Sequence, residues 1–331
     1  MTAVYVVTGC AGFLGSNLVG RLLASGDTVV GVDNLAMGKL QNIEEFRDEP
    51  RFRFVQCDVT DAESLARLDG EFAGIVHLAA FKIPRYGNAI DTLKINYRGT
   101  ENALEFARSR GCKLVLASTS DVYGRNPKLP FSEAGSDSVI GNSKAPRWAY
   151  AVSKLFDEHL ALAYQDAYGF PVTILRFFGS YGPKQNLSWW GGPQSVFIDC
   201  ALNGKPIPIH GDGSQTRSFT YVSDTVEGIY QALIRPAANG AIINIGSTQE
   251  VTILDLAHRV KRLSGTPGEI RIEFVPYESF TGQKYEDVMR RVPDVTLCEQ
   301  LLGVRARIDL DEGLSRTIEW QRRVTAKTAG K

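Results

Sequence analysis

Strand-length apolar runs alternate with longer stretches of helical period through the first half of this chain. VYVVTG (4–9), TVVGVD (28–33), RFRFVQCDV (51–59), GIVHLAA (74–80), KLVLAST (113–119) and PVTILRF (171–177) read as strands, and helices are predicted from about Gly12, near 89–109 and near 147–168. Strands apolar at successive positions must be covered on both faces, and right-handed crossovers between them produce a doubly wound parallel sheet. The pattern predicts an α/β protein whose ligand crevice lies at the carboxyl ends of the strands.

Past residue 182 the texture changes. GPKQNLSWWGGPQSVF (182–197), GKPIPIHGDGSQTRSF (204–219) and GTPGEIRIEFVPYESF (265–280) are rich in Gly and Pro, which predicts a smaller, loop-rich C-terminal substrate lobe. FTYVSDTVEGIYQAL (219–233) and AIINIG (241–246) resume the earlier pattern. The expected division is discontinuous, with residues 1–182 joined by 219–248 in the first lobe and 183–331 mainly in the second.

Composition narrows the function classes. The 331 residues are 44% hydrophobic and 22% charged, an ordinary globular balance, and 37 Lys+Arg offset 37 Asp+Glu without a long basic run. A nucleic-acid partner is therefore not expected, and any anionic ligand must be held by local charge. The five cysteines are scattered without CxxC pairs, which fits a reducing cytosol and predicts neither a disulfide framework nor a metal site. MTAVYVVTGCAGFLG runs directly into a strand without signal-peptide character, and no apolar run approaches a membrane span, so a cytoplasmic protein with no membrane partner is expected.

Two local patterns carry chemistry. TGCAGFLGSNL (8–18) follows the first strand and opens the first helix, spacing Gly9, Gly12 and Gly15 as GxxGxxG. Such glycines permit a tight turn, close approach of backbone to a pyrophosphate at a positive helix end, and close helix–sheet packing. Asp33 ends the next strand, where an acid accepts bonds from an adenosine ribose and repels a ribose phosphate, favouring NAD over NADP. The second pattern is RWAYAVSKLFDEHLALAY (147–164), in which Tyr150 and Lys154 stand four apart and share one helix face. A phenol beside an ammonium can serve as an acid/base pair; an isolated YxxxK is more often a surface helix.

With TGCAGFLG, Asp33, Cys57-Asp58-Val59, HLAA (77–80), Asn96, STSDVYG (118–124), YAVSK (150–154), LRFFGSYGP (175–183), GDGSQTRSFTYVSD (211–224) and RRVPD (290–294) in order, the chain resembles the extended short-chain dehydrogenase/reductase family, in its NAD-dependent nucleotide-sugar epimerase/dehydratase branch. VIGNSKAPRWAYAVSKLFDEHLALAY (139–164) and YEDVMRRVPDV (285–295) further resemble UDP-glucuronate decarboxylase domains and bacterial UDP-glucuronate and UDP-glucose 4-epimerases. The resemblance implies a Rossmann sheet, tightly bound NAD, a UDP-sugar substrate, and a homodimer paired through the helices near 89–109 and 147–168.

It also implies residue roles. Tyr150 would be the general base and acid, with Lys154 lowering its pKa and binding the nicotinamide ribose; phenol titrates near ~10 unperturbed, and a neighbouring cation favours phenolate. Thr119 occupies the position that orients the reacting hydroxyl. Gly9, Gly12, Phe13, Leu14, Gly15, Asp33, Asp58 and Val59 would line the adenosine and pyrophosphate half of NAD, and Lys82 and Asn96 would also contact the cofactor. Ser120 and Asp121 fall on the substrate side, and Arg217 and Arg291 match arginines that clamp the diphosphate with their planar forks. Arg290 is adjacent to Arg291, and Arg176 is either a ligand or a structural arginine at the lobe junction. Gly179 stands where many relatives have an asparagine contacting substrate. Trp189 and Trp190 are expected to fill the lobe core rather than stack on a base.

The implied reactions share oxidation at the sugar C4 to a transient 4-keto intermediate. Relatives that decarboxylate carry Glu in STSEVYG and dehydratases an Asp-Glu pair, whereas this chain has Ser120-Asp121, one methylene shorter. Since epimerisation needs no second acid, the expected function is a UDP-sugar 4-epimerase acting on UDP-glucuronate or UDP-glucose. UDP-glucuronate decarboxylation is the alternative, and a dehydratase or a non-catalytic NAD-binding regulator stands behind both.

Overall fold

Alternate residues along each strand go to opposite faces of one sheet, and both faces are dry. The computed structural model describes residues 2–82, 89–276 and 287–329; Tyr285 and Glu286 of YEDVMRRVPDV, and residues 277–280 of the third Gly- and Pro-rich stretch, lie outside the described residues. A seven-stranded sheet has the order β11 (Ile242–Ile245), β6 (Val172–Phe177), β5 (Lys113–Thr119), β4 (Gly74–His77), β1 (Val4–Thr8), β2 (Thr28–Asp33) and β3 (Phe52–Gln56). Every neighbouring pair is parallel. Tyr5, Val7, Val29, Val76 and Val115 pack into one core with α1 (Phe13–Ala24) and α6 (Val222–Ile234). Val6, Val30, Ile75, Leu114 and Leu116 pack into a second core with α3 (Ala89–Arg110) and α4 (Trp148–Tyr168), beside the short α2 (Ala62–Ala66). Two covered faces are why the strands read as unbroken apolar runs rather than as alternation.

Three two-stranded pairs build the rest: β7 (Ser180–Tyr181) with β10 (Thr220–Tyr221), β9 (Thr216–Ser218) with β12 (Glu250–Thr252), and β8 (Ile207–His210) with β13 (Ile272–Val275). Helices α5 (Pro193–Leu202) and α7 (Ile253–Ser264) pack against one another beside them. Thr252 caps α7 by accepting from the Asp255 amide, and Gly265 ends it in the left-handed conformation. No helix among the described residues is long and apolar enough to cross a membrane.

Two predicted strands stop short for visible reasons. The run 74–80 ends at His77 because the Leu78 and Ala79 amides turn to donate to Thr8 Oγ1 at 3.2 Å. The run 51–59 ends at Gln56, beyond which Asp58 uses Oδ1 to turn the chain through the Thr60 amide. After β3 the chain returns to the other side of β1, so β1 and β4 stay paired to Thr8 and His77 while the connections leaving their carboxyl ends diverge. That divergence opens the crevice expected of this topology.

Candidate active site

The glycine loop between β1 and α1 forms one wall of the crevice. Gly9 has φ +71°, and a Cβ on Gly15 would stand 2.1 Å from the Gly9 carbonyl oxygen, so neither position accepts another residue without displacement. Gly12 is the N-cap of α1 and offers no side-chain cap, and the first turn holds no acid. The amides at this helix end therefore face the crevice unclaimed by side chains, an arrangement suited to an anion.

At the tip of β2, buried Asp33 accepts from the Ala11 amide at 3.0 Å and the Leu35 amide at 2.8 Å, one on each oxygen. Burial pushes its pKa up against those bonds. Asp58 accepts from Thr60 and from the Asn34 side chain, and buried Val59 gives its carbonyl to Asn102. Asn96 does not turn outward: it bonds the Phe81 amide and carbonyl and Ser153 Oγ, pinning the segment after β4 to α3 and α4. Lys82 reaches the Trp190 carbonyl oxygen at 3.3 Å.

A cavity of about 420 Å³ opens beside this loop, within the size range of small-molecule sites. Phe13, Leu14 and Lys82 border it on the glycine-loop side, and Thr119, Ser120, Asp121 and Tyr150 border it at the ends of β5 and in the first turn of α4. Thr119 Oγ1 accepts from the Asp121 amide at 3.2 Å, which shapes the 3-10 turn Ser120–Tyr123 and holds the threonine at the cavity wall. Asp121 Oδ1 lies 2.8 Å from Arg291 and 3.4 Å from Arg147. Farther along, Arg217 is held by Asp287 at 2.8 Å and by the Thr216 and Val288 carbonyls at 2.7 Å.

Several expectations are corrected. Arg176 is not at the cavity: buried under the Tyr123 ring, it forks onto Glu158 at 2.9 and 2.6 Å, the structural alternative. Lys154 does not by itself favour a phenolate at Tyr150, because its ammonium is bound by Asp157 at 3.0 Å and both groups are buried. Burial, then the charges of Asp121 and Asp157, push the Tyr150 phenol above its ordinary value. Trp189 is at the cavity rather than wholly in the core, stacked on His210 with centroids 4.5 Å apart, while Trp190 meets the Phe81 ring edge-on. Arg290 pairs with Glu250 in the open, leaving Arg291 alone of the two at the cavity. A Cβ on Gly179, at φ +45°, would stand 2.1 Å from the Ser218 carbonyl oxygen, so the backbone here admits only glycine without displacement.

Sequence reasoning did not single out Arg147, Asp157, His210 or Asp287. Arg147 and Asp157 flank YAVSK; the partner of Arg147, Asp121, arrives from elsewhere in the fold, whereas Asp157 stands three residues after Lys154, a helical spacing that the sequence already displayed.

A parallel doubly wound sheet with a glycine cradle at the β1 end, and Tyr150 and Thr119 bordering the cavity beside it with Lys154 buried behind the tyrosine, has the architecture of a dinucleotide-using enzyme class. The chain belongs to the NAD dependent epimerase/dehydratase family, which it matches over residues 5–246. NAD is accordingly its cofactor, and the glycine cradle, the uncapped α1 and Asp33 fit that group. Over 96% of its length it is 36% identical to the UDP-N-acetyl-alpha-D-glucosaminuronate decarboxylase of Bacillus cytotoxicus, covering 98% of that protein. It is also 36% identical to UDP-glucuronic acid decarboxylase 1 of Xenopus tropicalis, over 96% of this chain and 72% of the relative. Among solved structures it is similar to the UDP-glucuronic acid 4-epimerase of Bacillus cereus in complex with UDP-glucuronic acid and NAD, with a TM-score of 0.85 and 29% identity across 97% of this chain and 99% of the other.

Proposed function

We propose that this protein is an NAD-dependent decarboxylase of a UDP-hexuronic acid. The observation that carries the reading is full-length similarity to a hexuronate decarboxylase, around a cavity where Tyr150 and Thr119 face Arg147 and Arg291. It reverses the order drawn from Asp121, which placed 4-epimerisation first.

Tyr150 takes the proton of the sugar C4 hydroxyl, and Thr119 Oγ1 orients that hydroxyl. NAD, when bound, supplies the acceptor for the C4 hydrogen and a positive ring beside the phenol. Lys154, anchored by Asp157, binds the nicotinamide ribose, while Asp33 holds the adenosine ribose and Gly9, Gly12 and Gly15 admit the pyrophosphate. Phe13, Leu14, Asp58, Val59 and Lys82 complete the cofactor wall, with Asn96 as its brace. Arg217 binds the substrate diphosphate. With C4 oxidised, the C5 carboxylate lies β to a ketone, so the C5–carboxylate bond can break with its electrons passing toward the ketone oxygen. A proton from water adds at C5 to restore the ketone, and Tyr150 then returns its proton as C4 is reduced.

Incubating the purified protein with UDP-glucuronate or its N-acetylglucosaminuronate counterpart tests this. A UDP-pentose or its N-acetylamino analogue together with CO2 is expected. The C4 epimer without CO2 would establish the epimerase instead, the reading that the shorter Asp121 favours. Absence of turnover on every nucleotide sugar would leave an NAD-binding regulator, against which the joint presence of Thr119, Tyr150 and Lys154 argues.

We also propose that the protein is a cytoplasmic homodimer. Leu93 and Tyr97 of α3 and Val152 and Phe156 of α4 are exposed apolar groups on two helices that pack together. A second copy would cover them.

A further inference from the structure

Asn244 stands where several distant parts of the chain meet. It lies in β11, the edge strand of the sheet, and is fully buried. Its backbone amide, on the open side of that edge, donates to Glu133 at 2.7 Å. Its side chain accepts from the Tyr123 hydroxyl at 2.8 Å and donates to the Phe131 carbonyl at 2.9 Å and the Asp294 carbonyl at 3.2 Å. A carboxamide has an accepting oxygen and a nitrogen with two hydrogens, so this one group matches a hydroxyl on one side and two carbonyls on the other.

The partners lead back to the cavity. Tyr123 closes the 3-10 turn Ser120–Tyr123, which follows Thr119 and contains Asp121. On the other side, the Phe131 amide donates to the Val292 carbonyl at 2.9 Å and the Asp294 amide to the Phe131 carbonyl at 2.8 Å, so residues 291–294 run beside Phe131 as a short bridge. Arg291 leaves that bridge and meets Asp121 at 2.8 Å at the cavity wall. The path Asp121, Tyr123, Asn244, Asp294, Arg291 therefore closes on itself, with the cavity at one side of the circuit and Asn244 at the other. A side-chain ion pair alone tolerates several geometries; holding the backbone behind Arg291 narrows them.

We propose that Asn244 is a positioning residue for Arg291. Its carboxamide ties both strands of the 131/293 bridge to the turn that carries Asp121, and so sets where the guanidinium stands at the cavity, although Asn244 is not itself part of the cavity wall. That Arg291 meets the substrate's anionic part rests on the UDP-sugar reading above. Asn244→Asp keeps size and shape but turns an oxygen toward two carbonyls, which cannot donate to it.

The test is a double-mutant cycle in NAD-loaded Tyr150→Phe protein, where ligand is not consumed, with UDP-glucuronate affinity read by calorimetry. Asn244→Asp should weaken binding by about 10-fold, the effect of a buried hydrogen bond misplaced. In an Arg291→Gln background the same change should cost less than about 2-fold, because the arginine through which it acts is gone. An undiminished cost in that background, or no cost in its absence, overturns the assignment; a merely structural asparagine would lower the melting temperature equally in both. Should Asn244→Asp fail to fold, Tyr123→Phe, which keeps the ring and deletes the hydroxyl bond, carries the same cycle with the same two outcomes. If Arg291→Gln by itself leaves affinity unchanged, Arg291 is not a ligand, and hydrogen exchange then decides the positioning separately. Faster exchange of the Phe131 and Asp294 amides in Asn244→Asp, with β1 and β5 unaffected, supports it, and unchanged exchange there overturns it.

Discussion

Asp157 alters what the Tyr150–Lys154 pair can do. The tyrosine and lysine share a helix face as their spacing requires, but the next turn of α4 places a buried carboxylate 3.0 Å from the ammonium. The Tyr150 phenol is consequently held in its protonated form by burial and by the Asp121 and Asp157 charges. Burial, and after it the Lys154 charge, hold His77 down to about 3, so its ring is neutral and adds no charge. Since Tyr150 works as a base when ionised, activity should rise with pH through its pKa. Asp157→Asn removes one cause of the upward shift, so the acid limb of kcat against pH should move to lower pH by on the order of one unit. An unmoved limb would show that Asp157 only anchors Lys154. Tyr150→Phe should lower kcat by about 10²- to 10⁴-fold while leaving the affinity for UDP intact, checked by steady-state kinetics and calorimetry.

At the scale of elements, the glycine loop and the β6–α4 contact make opposite demands. In the loop, Gly15→Ala would force a methyl to within 2.1 Å of the Gly9 carbonyl, so the α1 entry must shift. Loss of copurifying NAD, measured by mass spectrometry, is expected along with a lower melting temperature; retention of full NAD occupancy would disprove the cradle. Between β6 and α4, Arg176 and Glu158 form a buried, forked ion pair. Arg176→Met alone leaves a buried carboxylate uncompensated and should cost about 3–5 kcal/mol by denaturant unfolding, whereas Arg176→Met with Glu158→Leu should recover most of it. If the single substitution instead weakened UDP binding with stability unchanged, the residue would be a ligand after all.

For the whole molecule, the apolar faces of α3 and α4 set the assembly prediction. Phe156, half exposed and edge-on to Tyr97 at 5.6 Å, lies where a partner's helices would meet them. Phe156→Asp should convert a dimer to a monomer by light scattering after gel filtration; a wild type that is already monomeric refutes the pairing. The sheet of this molecule was legible beforehand because burial on both faces writes itself as continuous apolar runs, and TGCAGFLG and YAVSK were legible because local geometry sets their spacing. Arg176 could not be assigned from sequence, since whether it meets Glu158 or a substrate depends on which way a strand end faces after folding. Trp189 was misjudged for the same reason: its ring packs on His210 and still borders the cavity.

The sequence by itself determined the α/β architecture, the dinucleotide-type loop and the Tyr150–Lys154 spacing, because each is encoded by periodicity or by residues close in the chain; Thr119 was placed by the resemblance of STSDVYG to the family. Only the tertiary structure decided the electrostatics around Tyr150: the burial of the phenol and of the Lys154–Asp157 pair, and Asp121 drawing Arg147 and Arg291 together from 26 and 170 residues away. Charge acts through space over a few ångströms, and those distances exist only once the chain has folded.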